Sequence, residues 1–290
     1  MKSFLTLASL CVALIFSLVS MPAAAQDSWS DRISLKGDLR LRHESIDEEG
    51  EEERNRMRMR ARFGIAGKVS DNVTVVFGLA TGGDNPVSRN QTLDGGFSTK
   101  DIGIELAYVD WKINENLNLY GGKMKLPMFK AGGVPLVWDS DLNPEGLAMT
   151  FKSGGFFGTL AGYAVEERSS SDDSLLYVAQ AGYTFPVGDT ASVTAGAGYF
   201  AYTNTIGNEP FYNGRPKGNT VDTEGNYVYE YKNAELFAQV DTELGGWPFQ
   251  VFAHYTQNSE VSEQDTGYAF GAKLGAGKKQ GEMQFNWTYQ

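Results

Sequence analysis

Apolar and polar residues alternate along most of the chain from residue 33 onward, which is the period of a β-strand. In residues 33–44, for example, Leu39 and Leu41 alternate with Arg40 and Arg42. No comparable pattern of helical period occurs after the first 25 residues. The sequence therefore predicts an all-β protein.

The alternation divides into thirteen predicted strands. They are 33–44, 54–68, 73–80, 102–113, 117–125, 146–152, 156–167, 175–185, 191–202, 229–244, 249–257, 267–278 and 283–290. Most exceed the roughly 5 or 6 residues usual in soluble proteins and suit the roughly 9 to 11 residues of a tilted membrane strand. The alternation is unclear in 102–125 and 156–167, where we expect β-bulges.

The predicted connections alternate between long and short. The long ones follow odd-numbered strands and are 46–53, 81–101, 126–145, 168–174, 203–228 and 258–266. Long external loops and short periplasmic turns are typical of outer-membrane barrels, and Trp111, Phe185 and Trp247 fall where such a barrel has an interfacial aromatic band. The sequence thus predicts a transmembrane antiparallel up-and-down β-barrel.

The N-terminus predicts export. Lys2 precedes the apolar run 4–19, and the small residues 23–25 follow it, which is the pattern of a secretory signal peptide. We expect cleavage near Ala25, with residues 26–290 forming the barrel in the cell outer membrane. The single cysteine, Cys11, lies in this leader, so no disulfide is expected.

The odd number of strands has a consequence for the length of the barrel. Bacterial single-chain barrels have an even number of strands because both termini lie on the periplasmic side. Either the count misses one strand, or the barrel is incomplete at its C-terminus. We expect the second, with 16 strands in the complete protein, a size that leaves an aqueous channel.

Composition excludes several other classes. The chain has 25 Lys and Arg against 36 Asp and Glu, a net charge of −11, which argues against a nucleic-acid partner. One cysteine and two histidines leave no Cys-based or His-rich metal centre. No cofactor, no metal site and no catalytic residues are predicted.

The candidate pore-lining residues come from the first two strands. In 54–62, arginine occupies every second position, and the alternate face carries Met57 and Met59. Arginine on the lipid face costs about 2–4 kcal/mol near the membrane midplane, so the methionine face must be the one in lipid. The predicted pore-lining set is Lys36, Arg40, Arg42, Arg54, Arg56, Arg58, Arg60 and Arg62. Like charges at this spacing must be offset by facing acids or by ions.

The third long loop, 126–145, is a candidate constriction. A barrel loop in this position can fold inward, and its acids opposite the arginines would set up a transverse field. The candidate residues are Lys125, Lys130, Trp138, Asp139, Asp141 and Glu145. The two lysines leave the sign of the local charge open.

Two segments carry a family resemblance. Residues 121–129 (GGKMKLPMF) and 138–146 (WDSDLNPEG), together with the leader and the arginine-rich second strand, resemble the putative porin family of Gram-negative outer membranes. Residues near 121 also resemble phosphate-selective porins. The resemblance implies a passive channel for small hydrophilic solutes or ions, assembled as a homotrimer, without enzymatic activity. The lipid bilayer and lipopolysaccharide are the expected membrane partners.

Three alternatives remain open. A barrel with a blocked lumen would act as an adhesin or structural protein, with Tyr212, Arg215 and Tyr227 of the 203–228 loop as a binding surface. An outer-membrane hydrolase would use His254, although a catalytic triad cannot be recognised from spacing. A secreted soluble β protein would extract without detergent.

Overall fold

The computed structural model describes residues 29–134 and 136–290, so the predicted signal peptide at 1–25 lies outside the described residues. The strands are β1 (Ile33–Ile46), β2 (Arg54–Ser70), β3 (Val73–Thr81), β4 (Gln91–Thr92), β5 (Ile102–Lys112), β6 (Leu117–Lys123), β7 (Glu145–Ser153), β8 (Phe156–Glu166), β9 (Ser174–Val187), β10 (Ala191–Tyr202), β11 (Lys232–Leu244), β12 (Trp247–Asn258), β13 (Thr266–Gly275) and β14 (Gln284–Tyr289). Two short 3-10 turns, Trp29–Arg32 and Ala131–Gly133, complete the list. Within the described ranges, no helix is long and apolar enough to cross a bilayer.

Each of the thirteen predicted strands corresponds to a strand of the structure, with ends that differ by a few residues. The two-residue strand β4 lies within the predicted loop 81–101 and is too short to show a period. The alternation of long and short connections is confirmed, although the last short one spans 276–283 and is longer than predicted. The expectation of 16 strands in a complete barrel stays a prediction.

The described chain divides into two compact parts, and the first holds β1, β2, β3, β4 and β5. Neighbouring strands pair antiparallel, β1 with β2, β2 with β3, and β3 with β5, while β4 pairs with β2. Leu39 and Leu41 are about two-thirds exposed on one face of β1, and Arg40 and Arg42 are partly buried on the other. The two faces differ as the alternation predicts.

A β-bulge in β5 resolves the unclear alternation in 102–113. Leu79 pairs with Ile104 and Gly78 pairs with Leu106, so Glu105 is the extra residue. The Glu105 side chain is buried and Ile104 is exposed, and the extra residue shifts the alternation of β5 by one position from Leu106 onward. A second register shift lies near the end of β8, so the bulges expected in both regions are confirmed.

The second part holds β7 to β14, which pair antiparallel in chain order. Its outward face carries aromatic residues at both ends of the strands. Those beside the long connections are Tyr177, Tyr199, Tyr255 and Tyr268, and those beside the short connections are Phe156, Phe185, Trp247 and Phe285. Two such aromatic bands flank the apolar belt of transmembrane barrels.

The opposite face of the second part contains glycines next to bulky aromatic side chains. A Cβ at Gly182 would overlap the Phe157 ring, and one at Gly271 would lie 2.7 Å from Phe252. A Cβ at Gly196 would overlap both the Phe237 ring and the carbonyl oxygen of Ala181. The missing side chains therefore provide the space that these aromatic rings occupy.

We predict that Gly196→Ala destabilises the folded protein by about 1–3 kcal/mol, because the new methyl group overpacks the Phe237 site. The measurement is the free energy of unfolding in urea, followed by heat-modifiable mobility on a gel. Gly67→Ala is the matched control, since no atom lies within 4 Å of a Cβ at that strand position. Equal stability of the two variants would contradict the packing described for Gly196.

Candidate functional site

Six of the eight predicted pore-lining residues lie side by side on one face of β1 and β2; we call the whole set of eight the arginine face. The antiparallel register sets Arg40 opposite Arg60 and Arg42 opposite Arg58. Like charges directly opposite each other on two strands are destabilising. Lys36 and Arg54 lie toward the ends of this face and are exposed. The arrangement therefore requires counter-charges.

Glu44 contacts three of the arginines. It lies opposite Arg56 in the register, and its carboxylate forms ion pairs with Arg42 and Arg56. Arg58 Nη1 lies 3.5 Å from the same carboxylate. One negative charge is thus shared among three guanidinium groups, which leaves this end of the arginine face net positive.

Two further acids pair with Arg60 and Arg62 of β2. Arg60 donates to Asp38 at 2.8 Å, and Arg62 Nη2 lies 2.9 Å from Glu105 Oε1. Glu105 is the bulge residue of β5 and only 5% of its side chain is exposed. Sequence reasoning sought the facing acids in the 126–145 loop and did not consider Glu105, because unclear alternation indicates a bulge in 102–125 without showing which side chain is placed beside Arg62.

Asn90 is a functional candidate that sequence reasoning missed. Its side-chain oxygen accepts a hydrogen bond from Arg40, and its backbone oxygen accepts one from Arg58 at 2.6 Å. The pairing of β4 with β2, which aligns Thr92 with Arg58, holds this segment in place. Because an amide carries no charge, Asn90 orients the guanidinium groups without neutralising them.

In the second part, the long connection between β6 and β7 (the 124–144 loop) packs on the face opposite the exposed aromatic residues. Ala131 and Val134 of the loop join Phe237, Phe252 and Ala269 of the strands in a buried apolar cluster. In addition, the Phe129 ring lies 5.2 Å from that of Phe237 and 5.4 Å from that of Phe157, centroid to centroid. The loop therefore lies flat against the strands.

Side-chain amides of the strands hydrogen-bond the backbone of this loop. Gln180 Oε1 accepts from Phe129 N, and Gln180 Nε2 donates to Phe129 O, both at 2.9 Å. Gln239 Oε1 accepts from Gly132 N at 2.8 Å. A buried irregular segment must satisfy its backbone polar groups in this way, so the amides take the place of a neighbouring strand.

Glu235 and His254 form a buried pair behind Gln180. Gln180 Nε2 donates to Glu235 Oε1 at 2.6 Å, and His254 Nε2 lies 2.8 Å from Glu235 Oε2. Their side chains are only 3% and 4% exposed. His254 Nδ1 has no hydrogen-bond partner among the described residues. The imidazole thus contacts a carboxylate but no serine hydroxyl, which does not favour the hydrolase alternative.

The predicted constriction residues gather at one end of the 124–144 loop. Lys130 Nζ donates to Trp138 O at 3.2 Å and Ser140 Oγ at 3.4 Å, and Lys125 Nζ lies 3.5 Å from Ser140 O. Burial lowers the pKa of Lys130 and so does Lys125, while Asp139 partly offsets this.

The acids and the tryptophan of this set have different positions. Trp138 is buried and donates to Leu142 O at 3.0 Å. Asp139 is exposed and caps a turn by accepting from Asp141 N. Glu145 is the first residue of β7 and is exposed. Lys125, Lys130, Trp138, Asp139 and Asp141 are therefore brought together, and Glu145 begins the strand that follows the loop.

The connection between β10 and β11 has its own aromatic core. Tyr227 is buried, its hydroxyl accepts from Phe211 N at 3.2 Å, and the two rings are 5.4 Å apart. Tyr227 is thus a packing residue of the 203–231 connection, whereas Arg215 is exposed. This arrangement does not favour Tyr227 as part of a binding surface in the adhesin alternative.

Comparison with known proteins gives three results. The family model described as "Putative porin" matches residues 46–234. A structure of OprB from Pseudomonas putida is similar with a TM-score of 0.59 and 11% identity, over 89% of this chain and 74% of that one. The comparison with curated proteins gives no match.

Two structures of OmpT, an outer membrane protein of Vibrio cholerae, are also similar. A loop-deletion mutant has a TM-score of 0.52 and 14% identity, over 89% of this chain and 82% of that one. A trimer form has a TM-score of 0.51 and 12% identity, over 89% of this chain and 79% of that one. The fold is therefore that of an outer-membrane β-barrel, and the match to the family model over well over half of the sequence shows that the chain belongs to the Putative porin family.

Proposed function

We propose that the protein is an outer-membrane porin that allows passive diffusion of small hydrophilic solutes or ions. The observation that carries this proposal is the segregation of the two faces of β1. Leu39 and Leu41 are exposed on one face, and Arg40 and Arg42 are partly buried on the other. Selection in such a channel comes from pore width and lining charge and needs no covalent chemistry. Export would depend on the signal peptide at 1–25, with cleavage near Ala25.

We propose that the arginine face lines the channel and attracts anions. Its basic residues outnumber the acids that contact them, which are Asp38, Glu44 and Glu105. Asn90 holds Arg40 and Arg58 without cancelling their charge. A positive strip inside a water-filled barrel raises the local concentration of anions.

We propose that the 124–144 loop narrows the channel, with Lys125, Lys130, Trp138, Asp139, Asp141 and Glu145 setting the charge at its edge. The support is that the loop packs on the non-lipid face of the second part through Phe129, Ala131 and Val134. An ordinary external loop would not bury apolar side chains against that face.

Assembly and surroundings follow from the same proposal. The aromatic bands of the second part suit the two interfaces of a bilayer, and lipopolysaccharide would surround the external end. We propose a homotrimer, in line with the trimer form in which the similar Vibrio cholerae protein was solved. Chemical cross-linking of the protein in native membranes should give a species of three times the protomer mass.

We predict that the double variant Arg40→Gln and Arg58→Gln shifts the reversal potential of single channels toward cations under a salt gradient. The shift should be larger near 0.1 M than near 1 M salt, because the screening length falls from about 10 Å to about 3 Å. Planar-bilayer recording of the wild-type and variant proteins measures it.

Arg215→Gln is the control for this measurement, since Arg215 is an exposed basic residue outside the arginine face. An unchanged reversal potential in the double variant at low salt would show that Arg40 and Arg58 do not line the ion path. A folded, heat-modifiable wild-type protein that gives no conductance steps would instead contradict the porin proposal itself.

We predict that Leu39→Arg lowers the free energy of unfolding in lipid vesicles by about 2–4 kcal/mol if the residue lies near the midplane. Leu39 is 69% exposed on the apolar face of β1. Leu39→Met is the control, since it replaces leucine by another apolar side chain of similar volume. Equal stability of the two variants would show that this face does not contact lipid.

A further inference from the structure

We infer that Gln180, Glu235 and His254, together called the latch, position the 124–144 loop by fixing the orientation of the Gln180 amide. The three side chains come from β9, β11 and β12, and they form one chain of hydrogen bonds that ends at the loop backbone. The latch goes beyond the proposed channel function, because it concerns how the loop is held.

Both polar atoms of the Gln180 amide contact the backbone of the loop. The amide uses its oxygen for Phe129 N and its nitrogen for Phe129 O. Rotation of the amide by 180° would place donor against donor and acceptor against acceptor. Only one of the two orientations therefore holds the loop at Phe129.

Glu235 determines the orientation of the Gln180 amide. The second proton of Gln180 Nε2 has a carboxylate acceptor, Glu235 Oε1, at 2.6 Å. A carboxylate only accepts hydrogen bonds when ionised, so the amide nitrogen, not the oxygen, must face it. Glu235 thus acts on the loop through Gln180 and does not need to touch the loop itself.

His254 binds Glu235, and Gly198 leaves space for it. His254 Nε2 contacts its other oxygen, and both side chains are almost completely buried. A buried carboxylate is tolerated when it is paired and hydrogen-bonded. A Cβ at Gly198 would overlap Glu235, so the glycine on β10 leaves room for this rotamer. Residues of β9, β10 and β12 thus surround the Glu235 carboxylate.

The latch also borders the space beneath the loop. A cavity of about 10 Å³ is lined by Glu235 and His254 on the strands and by Lys130 and Trp138 on the loop. That is room for about one water molecule. The latch and the predicted constriction residues Lys130 and Trp138 therefore line one small cavity.

Two kinds of contact then hold the loop, and they have different roles. The apolar cluster around Phe237 and Phe252 is non-directional and favours burial of the loop in general. The latch is directional and fixes the backbone at Phe129. Loss of the latch should leave the protein folded but allow the loop to lift and return.

Thiol labelling tests this directly, because the only cysteine of the sequence is Cys11 in the predicted leader. Val134→Cys places a thiol in the buried cluster under the loop, and Ser140→Cys places one at an exposed loop position. With a methanethiosulfonate reagent and the full-length protein in detergent, we expect Gln180→Leu and Glu235→Leu to raise the labelling rate at position 134 at least about tenfold. The rate at position 140 should not change.

Two further variants separate positioning from packing. Glu235→Gln keeps an acceptor for Gln180 and should restore most of the protection at position 134. Thr194→Val removes a hydroxyl buried on the same face that bonds Thr184, so it should have no effect. A rate at position 134 that stays at the wild-type value in both Gln180→Leu and Glu235→Leu, with the protein folded, would overturn the latch.

Conductance gives a second readout, which rests on the proposed function. Gln180→Leu should increase current fluctuations in single channels because the loop moves. If the wild-type protein conducts no ions while the labelling pattern holds, the channel proposal fails and the latch stands. If it conducts and the labelling rates do not change, the latch fails and the channel stands.

Discussion

Alternation of side chains across each strand assigns every residue of these sheets to one of two faces, and a slip of one residue would exchange the faces. Leu39 and Arg40 show what depends on this. A slip would expose apolar residues to water and arginines to lipid along the whole β1–β2 pair, where each misplaced arginine costs about 2–4 kcal/mol near the midplane. The register of β1 and β2 is therefore strongly specified. The bulge at Glu105 is compatible with it, because the extra residue belongs to β5 and leaves the register of β1 and β2 unchanged.

The two compact parts use the non-lipid face in opposite ways. In the first part the face is charged, and its arginines are partly balanced by acids that come from β1 and β5. In the second part the face is apolar around Phe237 and Phe252, and the 124–144 loop covers it. A charged face and a covered apolar face are thus both built from the same alternating strands.

The strands and their connections could be predicted from the sequence because each depends on residues close together in the chain. The period of two is visible in 54–68, and the prediction of β2 needed nothing else. The missed features depend on contacts between distant residues. The two-residue β4 shows no period, unclear alternation does not locate the bulge at Glu105 within 102–125, and the contact from Gln180 to Phe129 spans 51 positions. His254 drew attention only as a rare residue type, and no local pattern pairs it with Glu235.

Three glycines of the second part leave space for the aromatic rings that the 124–144 loop contacts. Gly182, Gly196 and Gly271 leave space for Phe157, Phe237 and Phe252, the rings on which the loop rests. Without the loop, the face of the sheet that carries these rings would be exposed to water. The cost would be about 25 cal/mol for each Å² of apolar surface exposed. An aromatic cluster on this face is stable only if another segment covers it. The strands and the 124–144 loop therefore bury each other's apolar side chains, and the loop folds together with the strands of the second part.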